Sequence, residues 1–160
     1  MSKRSDGKIP PGIEAHKSCC AVVSFRENNC TVTLPRQNNE WVCLSGTRFQ
    51  DAHQHRNKLC DLLFSWEKSP TERVCSALEL KGGGISVSGV VEQLQHGAAV
   101  IESLLADSGP VPFTPVLVHK GLSSIQVTQL RRQRIIFRRK TFSIELMRCG
   151  GKVEQLRFSP

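Results

Sequence analysis

Leu59-Cys-Asp-Leu-Leu-Phe-Ser-Trp66 and Val74-Cys-Ser-Ala-Leu-Glu-Leu-Lys81, with a polar turn at 67–73 between them and Gly82-Gly83-Gly84 behind, decide the fold. Two apolar runs of strand length joined by a short connection predict a pair of adjacent strands. Side chains alternate faces along a strand, so Glu79 and Lys81 share one face while Leu78 and Leu80 share the other. A charged pair inside such an apolar strand is costly unless it is paired or bound to metal. Asp61, between Cys60 and Leu62-Leu63-Phe64, poses the same problem at the start of the preceding strand. Pairing of the two strands brings Asp61 towards Glu79, and two converging carboxylates make a hard-oxygen site suited to Mg²⁺ or Mn²⁺.

Working outward, Val91, Leu94, Ala98, Ile101 and Leu105 recur at helical spacing, predicting an amphipathic helix over about Ser88 to Asp107 that Gly109-Pro110 ends. Phe113 to His119 reads as a buried strand, which makes a strand-helix-strand crossover back to the sheet. Residues 124–133 suggest a short helix, and 134–138 and 141–146 two later strands. Upstream, 19–25 and 30–34 are β-prone around the turn chemistry of Asn28-Asn29, and Trp41 to Leu44 adds a strand before a polar loop from Gly46 to Lys58. Residues 1–12, ending in Pro10-Pro11-Gly12, read as a flexible leader, and 13–160 as a single α/β domain.

At 160 residues, 39% of them hydrophobic, the chain suits one domain with a real core. No apolar run approaches the roughly 20 residues that cross a bilayer, so no membrane partner is expected. The basic start Met1-Ser-Lys-Arg has no apolar stretch behind it and is not a secretory signal, so the expected address is cytoplasmic. The seven cysteines, an odd number lying partly in strand-like segments, read as buried thiols rather than disulfides. They contain no C-x-x-C pair, which disfavours a structural zinc site.

Net charge is +8, and from Lys120 to Arg157 ten Lys and Arg face only Glu145 and Glu154. A polyanion is the natural partner. Arg131, Arg132, Arg134, Arg138, Arg139 and Lys140 are the candidates for phosphate contacts, which give affinity without sequence readout. Few aromatics interleave with them, which disfavours a single-strand stacking platform.

Asp61 followed by Glu79-Leu80-Lys81 resembles the PD-(D/E)XK phosphodiesterase superfamily, which includes restriction enzymes, junction resolvases and repair or phage-defence nucleases. The resemblance covers roughly 59–119, since the helix and strand after the motif follow the superfamily's core order. It implies a restriction-endonuclease-like core, a mixed β-sheet flanked by helices. It also implies that Asp61, Glu79 and the Leu80 backbone carbonyl hold the metal while Lys81 assists the attacking water. Gln93 matches a glutamine that several branches place on the following helix, reaching towards the active site; Gln95 is the alternative but faces another side. Cys60 stands where proline is usual, and the acid often supplied by an N-terminal helix has only Glu14 and Glu40 as candidates.

His53 and His55 with Asp51 lie in a polar loop without a second ligand pair, so a solvated loop is the expected reading. His119, ending an apolar strand, reads as a satisfied core or rim histidine. The expectation is therefore a Mg²⁺- or Mn²⁺-dependent nuclease acting on DNA, with RNA as the alternative. Its small size suggests a homodimer or a subunit of a larger complex, phage defence and repair being settings that the family implies. The rival is a non-catalytic basic module that binds nucleic acid or assembles a complex.

Overall fold

The computed structural model describes residues 24–157 other than 28, 35–40 and 70; the leader expected at 1–12, Cys19 and Cys20 lie outside the described residues. In chain order the elements are β1 (Ser24–Glu27), β2 (Cys30–Thr33), β3 (Trp41–Ser45), α1 (Gly46–Ala52), β4 (Leu62–Ser69), β5 (Glu72–Lys81), α2 (Val87–Leu104), β6 (Phe113–His119), α3 (Ser124–Arg132), β7 (Arg134–Phe137), β8 (Lys140–Ser143) and β9 (Glu145–Arg148). The main sheet has the order β3-β4-β5-β6-β9. Its β3, β4 and β5 are antiparallel neighbours, whereas β5, β6 and β9 are parallel. The architecture is thus α/β, a mixed five-stranded sheet flanked by three helices.

The strand pair at the heart of the sequence forms with Leu62 opposite Leu78 and Phe64 opposite Ser76. Alternation then sorts its side chains into two layers. On one face Leu63, Cys75, Ala77, Phe113 and Leu117 pack with Val90, Leu94, Ala98 and Ile101 of α2. On the other, Leu62, Phe64, Leu78, Leu80, Val116 and Val118 pack with Cys30, Val32 and Leu34, and with Val153 and Leu156 from the chain's end. The β1–β2 hairpin turns at Asn29, whose φ of 60° is a left-handed conformation that asparagine tolerates.

Three expectations change. The start of the polar loop expected from Gly46 is instead helix α1. Ser45 caps it by accepting the Arg48 N–H at 3.3 Å, and Phe49 gives it a buried anchor. The two later strands form a separate hairpin, and the chain from Glu145 leaves it to run parallel to β6. Arg138 and Arg139, at φ 49° and 64°, make the two-residue turn whose twist suits a hairpin. Phe137 and Phe142 then close on Phe113 at 4.4 and 5.4 Å between ring centroids.

The third change concerns the cysteines. Cys30 and Cys149 form a disulfide with Cα atoms 5.1 Å apart, while Cys43, Cys60 and Cys75 are buried and not disulfide-bonded. The bond ties the β1–β2 hairpin to the end of β9, and such bonds persist mainly in oxidising surroundings. Among the described residues no helix is long and apolar enough to cross a membrane.

Two glycines grip the segment that enters β4. A Cβ on Gly46 would stand 1.8 Å from the Cys60 carbonyl oxygen, and one on Gly97 of α2 would stand 2.3 Å from Cys60 Sγ. Gly97→Ala is expected to lower unfolding free energy by about 1–3 kcal/mol, the usual cost of overpacking. Gly109→Ala, where a Cβ meets nothing within 4 Å, should stay within about 0.5 kcal/mol. Urea unfolding measures both, and equal effects would remove close approach as the constraint.

Candidate functional site

Asp61 lies one residue before β4, opposite the end of β5, and its backbone and side chain both bind there. Its N–H donates to Glu79 Oε2 at 3.1 Å, and its Oδ2 accepts the Leu80 N–H at 2.8 Å. This exchange continues the strand pairing beyond Leu62 with a carboxylate in place of a backbone carbonyl. Glu79 Oε1 accepts from Lys81 Nζ at 2.7 Å. Glu79 is 1% exposed and the Lys81 side chain 21%, so the ion pair is buried at its acidic end and opens to solvent at its basic end. The structure therefore brings Asp61, Glu79 and Lys81 together at one strand end.

Leu80 faces the opposite core with its side chain, as its alternation requires. Its N–H points to Asp61, and the N–H and C=O of one strand residue point to the same edge, so its carbonyl lies on the Asp61 side.

Gln93 is buried on α2 and turned towards Asp61's own segment. Its Nε2 donates to the Leu59 carbonyl at 3.3 Å, while its backbone carbonyl accepts the Cys60 N–H at 3.2 Å. The amide nitrogen is thus engaged in holding the approach to Asp61. Gln95 instead exchanges two hydrogen bonds with the Ile136 backbone, at 2.9 and 2.8 Å, and so fastens β7 to α2.

Electrostatics follow from the burial of two acids beside one cation. Burial first, and then the charge of Glu79, push the Asp61 carboxyl from 3.8 up to about 7, against the Leu80 N–H and Lys81, which favour its ionised form. Burial also raises Glu79, opposed chiefly by Lys81. With its ion pair in place, Glu79 is the better-stabilised anion, and Asp61 is the member that keeps a proton towards neutrality. Burial, then Glu79 and Asp61, push the Cys60 thiol well up, so it stays a packing group.

Two residues near the pair escaped the sequence reading. The charge of Lys58 reaches Glu79 and that of Glu27, at the end of β1, reaches Asp61. Neither lies in an apolar run, so nothing local marks it. Glu14 and Glu40 lie outside the described residues. Among the described residues no three His, Cys, Asp or Glu side chains form a metal-holding group. The donors on offer are two carboxylates and one strand carbonyl, hard oxygens of the kind that Mg²⁺ and Mn²⁺ accept, and their repulsion is what a cation would relieve.

His119 ends β6 in register with Lys81. It is 7% exposed, and its buried Nδ1 has no hydrogen-bond partner, unlike the satisfied histidine expected. An unmet buried polar atom costs about 1–3 kcal/mol. Burial first, then Arg148, push its pKa down, favouring the neutral ring. His53 packs against Phe49 with ring centroids 4.4 Å apart, and His55 Nδ1 lies 3.0 Å from the Asn57 carbonyl.

The six basic candidates do not form one surface at this site. Arg138 caps α2: its guanidinium donates to the carbonyls of Leu105, Ser108 and Gly109, and its N–H to Glu102 Oε2. Arg138 and Lys140 line a groove of about 590 Å³ with Thr71, Glu72 and Arg73, at the start of β5. The acids stand at the other end of that strand, roughly 20 Å away at a rise of about 3.3 Å per residue. Arg131, Arg132, Arg134 and Arg139 are exposed, and Arg134 donates to the carbonyls of Arg131 and Gln133.

No family description, curated protein or solved structure matches this chain.

The Asp61 shift has a measurable consequence. Unfolded Asp61 titrates near 3.8 and folded Asp61 near 7, so as pH rises the unfolded state loses its proton first. Asp61 therefore withdraws stability between about pH 4 and pH 7, the reverse of an ordinary salt-bridged carboxylate. Asp61→Asn cannot ionise and keeps an acceptor for Leu80. In thermal melts with EDTA, the stability of wild type relative to Asp61→Asn is expected to grow as pH falls from about 8 to about 5. A difference independent of pH would refute the shift.

Proposed function

We propose that this chain is a divalent-metal phosphodiesterase of the PD-(D/E)XK type that hydrolyses phosphodiester bonds of DNA, with RNA as the alternative substrate. The observation carrying this reading is the Asp61–Glu79–Lys81 arrangement at the end of β5, in which Glu79 accepts the Asp61 N–H and the Lys81 ammonium while the Asp61 carboxylate accepts the Leu80 N–H. Sheet order and the crossover through α2 support a restriction-endonuclease-like core, although that finer assignment is part of the proposal.

Asp61, Glu79 and the Leu80 carbonyl would hold Mg²⁺ or Mn²⁺. Such an ion supplies Lewis-acid charge at a phosphoryl oxygen and acidifies its bound water. The chain's own groups do the rest. Lys81, anchored by Glu79 at 2.7 Å and partly open to solvent, orients the attacking water and offsets charge developing on the phosphate. Gln93 positions Asp61 through Leu59 and Cys60. Arg131, Arg132, Arg134, Arg139 and Lys140 supply phosphate contacts away from the acids. A homodimer or a subunit of a larger defence or repair complex is part of this reading.

A second reading, a basic module that binds nucleic acid without cutting it, draws on the exposed cations that lie away from the acidic pair. Incubation with supercoiled plasmid, linear duplex and single-stranded RNA, with Mg²⁺, Mn²⁺ or EDTA, separates the two. Cleavage is expected with metal only, and Asp61→Ala and Lys81→Ala are expected to slow it by at least about 100-fold. Cutting at the same rate by wild type and both variants would refute the site, and binding without cutting under every metal would favour the second reading.

A further inference from the structure

Three basic side chains stand abreast where the parallel strands end. Lys81 on β5 is in register with His119 on β6, and His119 with Arg148 on β9. Alternation puts them on one face: Leu117 and Leu146, each two residues earlier, pack into the α2-side core, as does Ala77 below Glu79. Arg148 reaches across the end of β6, since a Cβ on Gly121 would meet its Nη1 at 3.7 Å. No acidic side chain among the described residues pairs with Arg148, and Lys81 is held only by Glu79. The crevice beyond the carboxyl ends of parallel strands is a common place for ligands in α/β sheets.

We propose that Lys81, His119 and Arg148 form a track for the phosphodiester backbone of nucleic acid, leading from the acidic pair across β6 to β9. The inference rests on the phosphodiesterase reading and adds two substrate-contacting residues to it. His119 is the decisive member. Its Nδ1 is buried without a partner, which leaves Nε2 as the nitrogen able to meet a ligand. A neutral ring protonated at Nε2 donates one hydrogen bond to a phosphate oxygen, and a neutral donor between two cations avoids a third charge in the row. Arg148 supplies the planar fork that binds phosphate in two places. Neighbouring strands are about 4.8 Å apart, so the row spans about 10 Å. The disulfide at Cys149 and the Cys149 N–H donated to the His119 carbonyl at 2.8 Å fix the end of β9 beside β6, so the track is preorganised.

The test is binding, kept separate from cutting. Fluorescence anisotropy with a labelled short DNA duplex in EDTA is measured over a range of salt for wild type, His119→Ala, His119→Gln, Arg148→Ala and the charge-matched control Lys152→Ala. Arg148→Ala is expected to weaken binding about tenfold and to reduce the salt slope by about 1. His119→Ala should weaken it several-fold with little change in salt slope, and His119→Gln, which restores a donor, should recover part of the loss. Thermal melts check that each variant folds; Arg148 is exposed, so its result stands even if the His119 variants do not fold. Wild-type affinity in Arg148→Ala, an equal loss in Lys152→Ala, or no duplex binding by wild type would overturn the track. Loss of binding in a protein that never cuts would uphold the track while the catalytic reading fails. Metal-dependent cutting unaffected by Arg148→Ala and His119→Ala would do the reverse.

Discussion

Asp61 gives its N–H to Glu79 and takes the N–H of Leu80, and most of what surrounds this exchange serves to keep it in place. β4 begins only at Leu62, so without it the end of the ladder against β5 would lack a partner. Using a carboxylate for that purpose places an ionisable group beside another acid that is almost wholly buried. The fold contains this repulsion from three directions: Lys81 pairs with Glu79, Gln93 ties down Leu59 and Cys60, and Gly46 and Gly97 allow α1 and α2 to close on Cys60. A buried acid pair with one cation is a poor way to gain stability. On the proposed reading, its cost is that of a site preorganised for charge arriving from outside.

The cations divide by role in a way their sequence spacing conceals. Arg138 is engaged at the end of α2, where it meets carbonyls left without helical partners, and so secures the β7–β8 hairpin on that helix. Gln95 fastens the same hairpin at Ile136. By contrast Arg148, outside the densest basic run, lies on the strand beside His119 and therefore on the side of the acids. Density of charge along the chain is a guide to partners, and the sheet decides which charges meet the same ligand.

Much of the strand pair and its acids was legible locally. Asp61 and Glu79 stand out because apolar residues flank them, and helical spacing from Val91 to Leu105 announces α2. Helix α1 was not legible, since Phe49 is its one large buried anchor and its neighbours are polar. The Cys30–Cys149 bond spans 119 residues, and no spacing rule connects cysteines so far apart. Gln93 stands out in the sequence as a residue on the helix behind the acids, but its hydrogen bond to Leu59 depends on how α2 crosses β4.

The sequence by itself determined the period of the central strand pair and of α2 and the anomaly of charge among apolar residues, because both are properties of neighbours along the chain. That is enough to single out Asp61, Glu79 and Lys81, while the mixed sheet was expected from the family resemblance. Tertiary structure alone decided that Asp61 binds the backbone of Leu80, that Gly46 and Gly97 are needed for close approach, and that Lys81, His119 and Arg148 line up across three strands. Those facts depend on strand order and register, which are set by the joint packing of two core layers rather than by any single segment.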